Sequence, residues 1–159
     1  MLASQKPPIV DLSPSLNVMR VRPAVMDDAQ MLHDWANDPD TRRWSFNTDL
    51  IAWESHVSWL AGVLENRDRM MYVGEQDGPV GSVRFDRKDG VSEVSITVAP
   101  SRRGDGLART LLHAALAEYS HRPVVARVKV GNERSMRLFA DWQSIDHGVF
   151  LYEAGVGRV

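Results

Sequence analysis

The chain contains no cysteine. That absence excludes disulfides, thiolate zinc sites, iron–sulfur clusters and any cysteine-borne acyl-enzyme. An excess of charge of one sign is also lacking: 19 Lys and Arg stand against 21 Asp and Glu, a net of −2. No general basic field attracts nucleic acid, and no polybasic stretch addresses an anionic membrane. Long apolar runs are missing too; the longest falls far below the ~18 residues that span a bilayer. The opening stretch, MLASQKPPIVDLSPS, has Pro and Ser where a signal peptide carries its apolar segment. A cytoplasmic setting is therefore expected. No repeat or hexapeptide period is visible, which argues against a β-helix.

What is present suits one globular domain. The 159 residues are 43% hydrophobic and 25% charged. A chain of this length buries roughly 70% of the surface its unfolded form exposes, enough for a core and a pocket. Pro7, Pro8, Pro14 and the serines around them mark residues 1–17 as a flexible arm. Residues 154–159 read as a second tail, leaving a single domain over 18–153.

Within that domain strand and helix patterns alternate. Residues 18–24 alternate apolar and basic side chains, as a half-buried strand does. A helix from Asp27-Asp28 to about Asn37 puts Ala29, Leu32, Trp35 and Ala36 on one face, and Pro39 is expected to stop it. Residues 40–49 read as a loop. A second helix over about 50–65 places Trp53, Val57, Leu60 and Leu64 on its apolar stripe. Three strands follow at 70–76, 80–87 and 91–98, joined by Asp77-Gly78 and Asp89-Gly90, which signal antiparallel hairpins. Residues 107–119 form a helix with Leu107, Leu111, Leu112, Ala115, Leu116 and Tyr119 inward. The apolar run 123–130 suits a buried parallel strand. A helix capped by Asn132 and a short strand at 149–153 complete the pattern. The expected class is mixed α/β: a central mixed sheet of about six to seven strands with helices on both faces.

The segment Val98-Ala99-Pro100-Ser101-Arg102-Arg103-Gly104-Asp105-Gly106-Leu107-Ala108 carries the chemistry. It joins a strand to a helix. Gly104 and Gly106 let the backbone bend and approach a ligand, and the helix start offers unpaired amides to an anion. A Walker A loop is excluded because Gly-Lys-Ser/Thr is absent. A dinucleotide fingerprint is excluded because Arg109 stands where the third glycine belongs.

Arg103-x-x-Gly106-x-Ala108 after such a strand resembles the acetyl-coenzyme A loop of the GCN5-related N-acetyltransferases. Asn132-x-x-Ser135-x-x-Leu138-Phe139 resembles that family's second coenzyme element, and the order of elements agrees over about 18–153. The resemblance implies acetyl transfer from acetyl-CoA to a primary amine by direct attack, without a metal. It implies that Arg103, Gly104, Asp105, Gly106, Leu107 and Ala108 hold the pyrophosphate. Val98 would sit beside the pantetheine, with Asn132 and Ser135 nearby. Asn132 is equally readable as a plain helix cap. Two departures stand out: Gln143-Ser144 replaces the usual Gly-Phe, and Phe139 stands where many members have a tyrosine acid.

Glu93 shares a strand face with Ser95 and Thr97; if that face lines the acceptor cleft, Glu93 is the base, otherwise a solvated glutamate. His56 is an alternative base or a packed histidine, and Tyr152 an alternative acid. The other histidines, His33, His113, His121 and His147, show no metal spacing. Asn37, Arg42, Ser45, Phe46, His56, Trp59 and Arg84 resemble the acceptor wall of acetyltransferases that act on UDP-linked 4-amino-deoxy sugars. A small-molecule amine, with a nucleotide sugar preferred, is thus the expected partner, and nothing forbids a homodimer. The rival acceptor is a protein N-terminus, as in ribosomal-protein acetyltransferases. A rival of another class is a non-catalytic acetyl-CoA-binding module.

Overall fold

The computed structural model describes residue 8 and residues 17–153. The expected arm over 1–16 (apart from residue 8) and the tail over 154–159 lie outside the described residues. One seven-stranded sheet organises the chain, in the order β1-β2-β3-β4-β5-β7-β6. The strands are β1 (Arg20–Pro23), β2 (Arg69–Glu75), β3 (Pro79–Lys88), β4 (Val91–Val98), β5 (Val124–Arg127), β6 (Gln143–Asp146) and β7 (Val149–Tyr152). All neighbours are antiparallel except β4 and β5. The two Asp-Gly hairpins form as expected: Asp77, Gly78, Asp89 and Gly90 all have positive φ, the pair of values a type I′ turn requires.

Among the described residues five α-helices flank the sheet: α1 (Ala29–Ala36), α2 (Pro39–Trp44), α3 (Trp53–Glu65), α4 (Leu107–Glu118) and α5 (Glu133–Leu138). On one face α4 buries Leu111, Leu112, Ala115 and Leu116 against Tyr72, Val83, Phe85 and Val94. On the other, α1 and α3 bury Leu32, Trp35, Leu60 and Val63 against Met71 and Val73. Arg22 joins this second layer to the sheet edge. It donates to both oxygens of Asp28 at 2.8 Å and to Glu75 at 2.9 Å. The Arg22 hydrogen bonds hold the Asp28 carboxyl below its ordinary pKa, against the opposing effect of burial.

Three expectations are corrected. α1 ends at Ala36, before Pro39, as expected, but the stretch expected as a loop over 40–49 opens with a helix that Pro39 starts. Asp38 caps α2 by accepting from the Thr41 amide at 3.2 Å, and proline at the first helical position has no amide to leave unpaired. The stripe of α3 is His56, Leu60 and Val63, while Trp53 is 43% and Leu64 is 37% exposed. The last helix, expected to reach Trp142, ends at Leu138, and an additional strand, β6, forms from residues 143–146 just beyond it.

α4 lies close because two strands carry glycine beneath Leu111. A Cβ at Gly74 would overlap the Leu111 side chain, and one at Gly81 would overlap the Thr97 carbonyl oxygen. Gly81→Ala is therefore expected to lower stability by about 1–3 kcal/mol, the scale of core overpacking. Urea unfolding checks this; an unshifted midpoint would show that β3 and β4 separate at no cost.

Candidate active site

The chemistry gathers where β4 and β5 part. Their parallel ladder covers Ser92, Glu93 and Val94 opposite Val124, Val125 and Ala126, and stops there. The Ala99 amide bonds to Val80 on the β3 side, whereas the Ser92 amide bonds to Pro123 on the β5 side. Amides alternate along a strand, so Ile96 and Val98 direct theirs into the opening. A cleft of about 1230 Å³ fills this wedge. Its walls include Val94 to Val98, Val128, Lys129, Asn132, Ser135 and Phe139.

The loop after β4 closes the cleft at one end. Gly104 and Gly106 take φ of 87° and 70°. Gly106 caps α4 and has no side chain to satisfy the helix amides. Among the described residues no hydrogen-bond acceptor is assigned to the amides of residues 103–106. Unpaired amides at a helix start attract an anion. Gly104, Gly106, Leu107 and Ala108 line the cleft, and Asp105 does not. The residues present thus fit a coenzyme with a diphosphate and a narrow pantetheine arm.

The loop's two arginines do other work. Arg102 donates to the carbonyls of Gln76, Asp77 and Pro79. Arg103 donates to Asp38 at 2.7 Å and to Thr41 Oγ1 at 2.8 Å. Burial alone would raise the Asp38 pKa; Arg103 and the Thr41 amide outweigh it and hold the carboxyl low. Both side chains have protein partners here, so the groups left for an anion at this loop are main-chain amides. Asn132 caps α5 by accepting from the Ser135 amide at 3.2 Å while lining the cleft, so both of its expected roles coexist.

Glu93, Ser95 and Thr97 point to the α1–α3 side and line the cleft, the condition set for Glu93. Glu93 is partnered by Arg127 at 3.3 Å. Arg84 lies over the Trp59 ring at 5.0 Å, donates to Asp86 at 2.8 Å and reaches Ser95 at 3.4 Å. Arg127 and Lys129 belong to this site and were not singled out in the sequence; they follow directly on the buried run of β5.

Several expected residues are placed differently. Asn37 does not line the cleft; it exchanges two 2.8 Å hydrogen bonds with the Ile51 backbone. Arg42 lines the cleft but donates to the carbonyls of Ala36, Asn47 and Asp49 and to Ser45 Oγ, so it holds the 45–49 loop rather than clamping a diphosphate. Ser45 Oγ donates to the Thr41 carbonyl. Tyr152 pairs with Val124 at the closed end of the wedge, under Arg122, and does not line the cleft. Phe46 is 69% exposed at the rim. His56 is 2% exposed, and its Nε2 donates to the Ala29 carbonyl at 3.0 Å. Among the described residues, no group of His, Cys, Asp or Glu could hold a metal ion. No helix there is long and apolar enough to cross a membrane.

A parallel pair forced apart beside an amide-rich helix start defines a protein that binds an acyl-coenzyme A. The sequence profile of the acetyltransferase (GNAT) domain matches residues 19–141. The chain belongs to this family and is an acetyl-CoA-dependent N-acetyltransferase. Among solved structures it is similar to the spermidine N-acetyltransferase of Vibrio cholerae bound to CoA and spermine. The identity is 20% over 79% of this chain and 82% of that one, with a TM-score of 0.71. It is also similar to RimL, the ribosomal L7/L12 alpha-N-protein acetyltransferase bound to coenzyme A (16% identity, 80% of each chain, TM-score 0.68). A third likeness is a domain from Methanocaldococcus jannaschii (20% identity, 84% of this chain and 96% of that one, TM-score 0.66). These likenesses show the fold. No curated protein matches the chain in sequence.

Gly106→Val tests the loop, with urea unfolding run alongside because φ of 70° strains any side chain there. An added Cβ meets nothing in the protein itself, yet it projects at the amides and suits a positive φ poorly. The KM for acetyl-CoA should rise on the order of tenfold, the loss of about one hydrogen bond to a charged group. An unchanged coenzyme KM would remove the loop from the site. A second prediction concerns His56. Burial lowers its pKa below 6.5, and nearby His33 adds to this against the Ala29 bond. The neutral ring is thus favoured in the fold. Its stabilisation is present above pH 6.5 and lost as pH falls through the depressed value. His56→Gln should show a smaller drop in melting temperature between pH 7 and pH 5 than wild type; equal drops would contradict the buried neutral ring.

Proposed function

We propose that the acceptor is an anionic small-molecule amine of the UDP-linked 4-amino-deoxy sugar class, whose amine attacks the acetyl group directly in a ternary complex. The charge of the cleft wall carries this reading. Arg42, Arg84, Arg102, Arg103, Arg127, Lys129 and Arg134 line it, against Asp40 and Glu93. Both carboxylates are already paired with arginine. A polyamine therefore lacks a free carboxylate to meet, whereas a diphosphate meets the spare donors of Arg84 and Arg127. Trp44, Phe46 and Trp59 offer ring surface to a sugar or a base.

In this reading Glu93 takes the ammonium proton through a water, its carboxylate oriented by Arg127. The Val98 amide donates to the thioester oxygen as negative charge develops there. The amine nitrogen forms its bond to the acetyl carbon, and the carbon–sulfur bond breaks. Phe139 has no proton to give, and a thiol with a pKa near ~8.5 leaves without an acid.

A protein N-terminus is the second reading. Phe46, Leu50 and Trp53 are 69%, 78% and 43% exposed on and beside the 45–52 loop, an apolar rim that suits a peptide. Thiol release from acetyl-CoA, followed with a UDP-4-amino sugar, spermidine and an N-terminal peptide, separates these. Turnover of the nucleotide sugar well above the others is expected, and preference for peptide or spermidine would overturn it. Glu93→Gln should lower kcat on the order of 10²-fold with unchanged coenzyme affinity; full activity would reject Glu93 as base.

A further inference from the structure

α2 has six residues, and none is buried. Polar contacts hold it, and they come from both sides of the cleft. From the loop after β4, Arg103 donates to Asp38 and Thr41 and lies 3.7 Å from Asp40. From beyond β5, Arg134 lies 3.5 Å from the same Asp40, and Lys129 donates to the carbonyls of Arg43 at 3.1 Å and Ser45 at 3.3 Å. The Trp44 ring covers Gly131, where a Cβ would sit 3.7 Å from it. α2 therefore runs from one wall of the wedge to the other. Asp40 is the carboxylate that both arginines share, and it lines the same cleft as Gly104, Gly106 and Ala108.

We propose that α2 is a strap across the coenzyme channel, and that Asp40 is a positioning residue that occupies Arg103 and Arg134 until the diphosphate of the coenzyme displaces it. A diphosphate at the amides of 103–108 brings negative charge into the cleft that Asp40 lines. It repels that carboxylate and competes for the same two guanidinium groups. Ion pairs between partly exposed side chains are weak enough to exchange, and the apolar hold on α2 is slight: none of its residues is buried, and Trp44 alone lies over Gly131. Ser45 and Phe46 follow α2 directly, so its displacement reshapes the acceptor wall. Coenzyme and acceptor affinities are then coupled, and the coupling is reciprocal.

Isothermal titration with CoA tests the idea. Asp40→Asn keeps the shape and removes the charge, so the Kd should fall about threefold, the scale of one exposed pair. Asp40→Glu should restore wild-type affinity. Unchanged or weaker binding by Asp40→Asn would overturn the proposal. Hydrogen exchange on the wild-type protein decides independently of any variant. The amides of Arg42 and Ser45, bonded to the Asp38 and Thr41 carbonyls, should exchange faster with saturating CoA. Unchanged or slower exchange, with CoA bound, would overturn the strap alone. Failure of the wild-type protein to bind CoA would overturn the coenzyme site with it.

Discussion

Everything at this site depends on a ladder that stops. β4 and β5 pair over three residues and then separate. An unpaired strand edge inside a protein is costly, because each stranded amide forgoes a hydrogen bond. Here the cost is concentrated at Ile96 and Val98, and a ligand with its own carbonyls and amides can repay it. The same separation opens the room in which such a ligand lies. α4 keeps β4 in place from behind, seated on the glycines beneath Leu111.

The sheet divides its labour by face. Even-numbered residues of β4, Val94 and Ile96, join the apolar layer under α4. Odd-numbered residues, Glu93, Ser95 and Thr97, join Ser82 and Arg84 on the wall of the cleft. This polar face is half-buried, so its charges need partners. Burial pushes the Asp86 carboxyl upward, and Arg84 and Arg69 together more than reverse that. Arg84 in turn lies over Trp59. The result is a firm, charged floor facing the place where an acceptor would sit.

Much of this was legible in the residues themselves. Asp77-Gly78 and Asp89-Gly90 specified two hairpins because few other pairs tolerate positive φ twice. Gly104, Gly106 and the leucines at 107, 111 and 112 specified a tight loop opening an apolar-faced helix. The nearly continuous apolar run from Pro123 specified a buried strand, which the structure keeps only over 124–127, with Arg127 exposed. Polar residues were harder to place. Asn37, Arg42 and Ser45 have the chemistry of ligand-binding groups, yet Asn37 and Arg42 satisfy main-chain groups of residues 47–51 and Ser45 the Thr41 carbonyl, and nothing in residue type separates those uses. α2 was hidden because an Asp-Pro start directly after a helix looks like an end, and six exposed residues show no period. His56 fits the spacing of Leu60 and Val63, and that spacing could have placed it in the core.

The central claim is that main-chain amides at the wedge and at the start of α4 hold the coenzyme. Nuclear magnetic resonance of 15N-labelled protein titrated with CoA addresses it most directly. The account predicts that the largest amide shifts fall at Ile96, Val98, Gly104, Gly106 and Ala108. Saturable binding that leaves those amides unmoved and shifts others would contradict it.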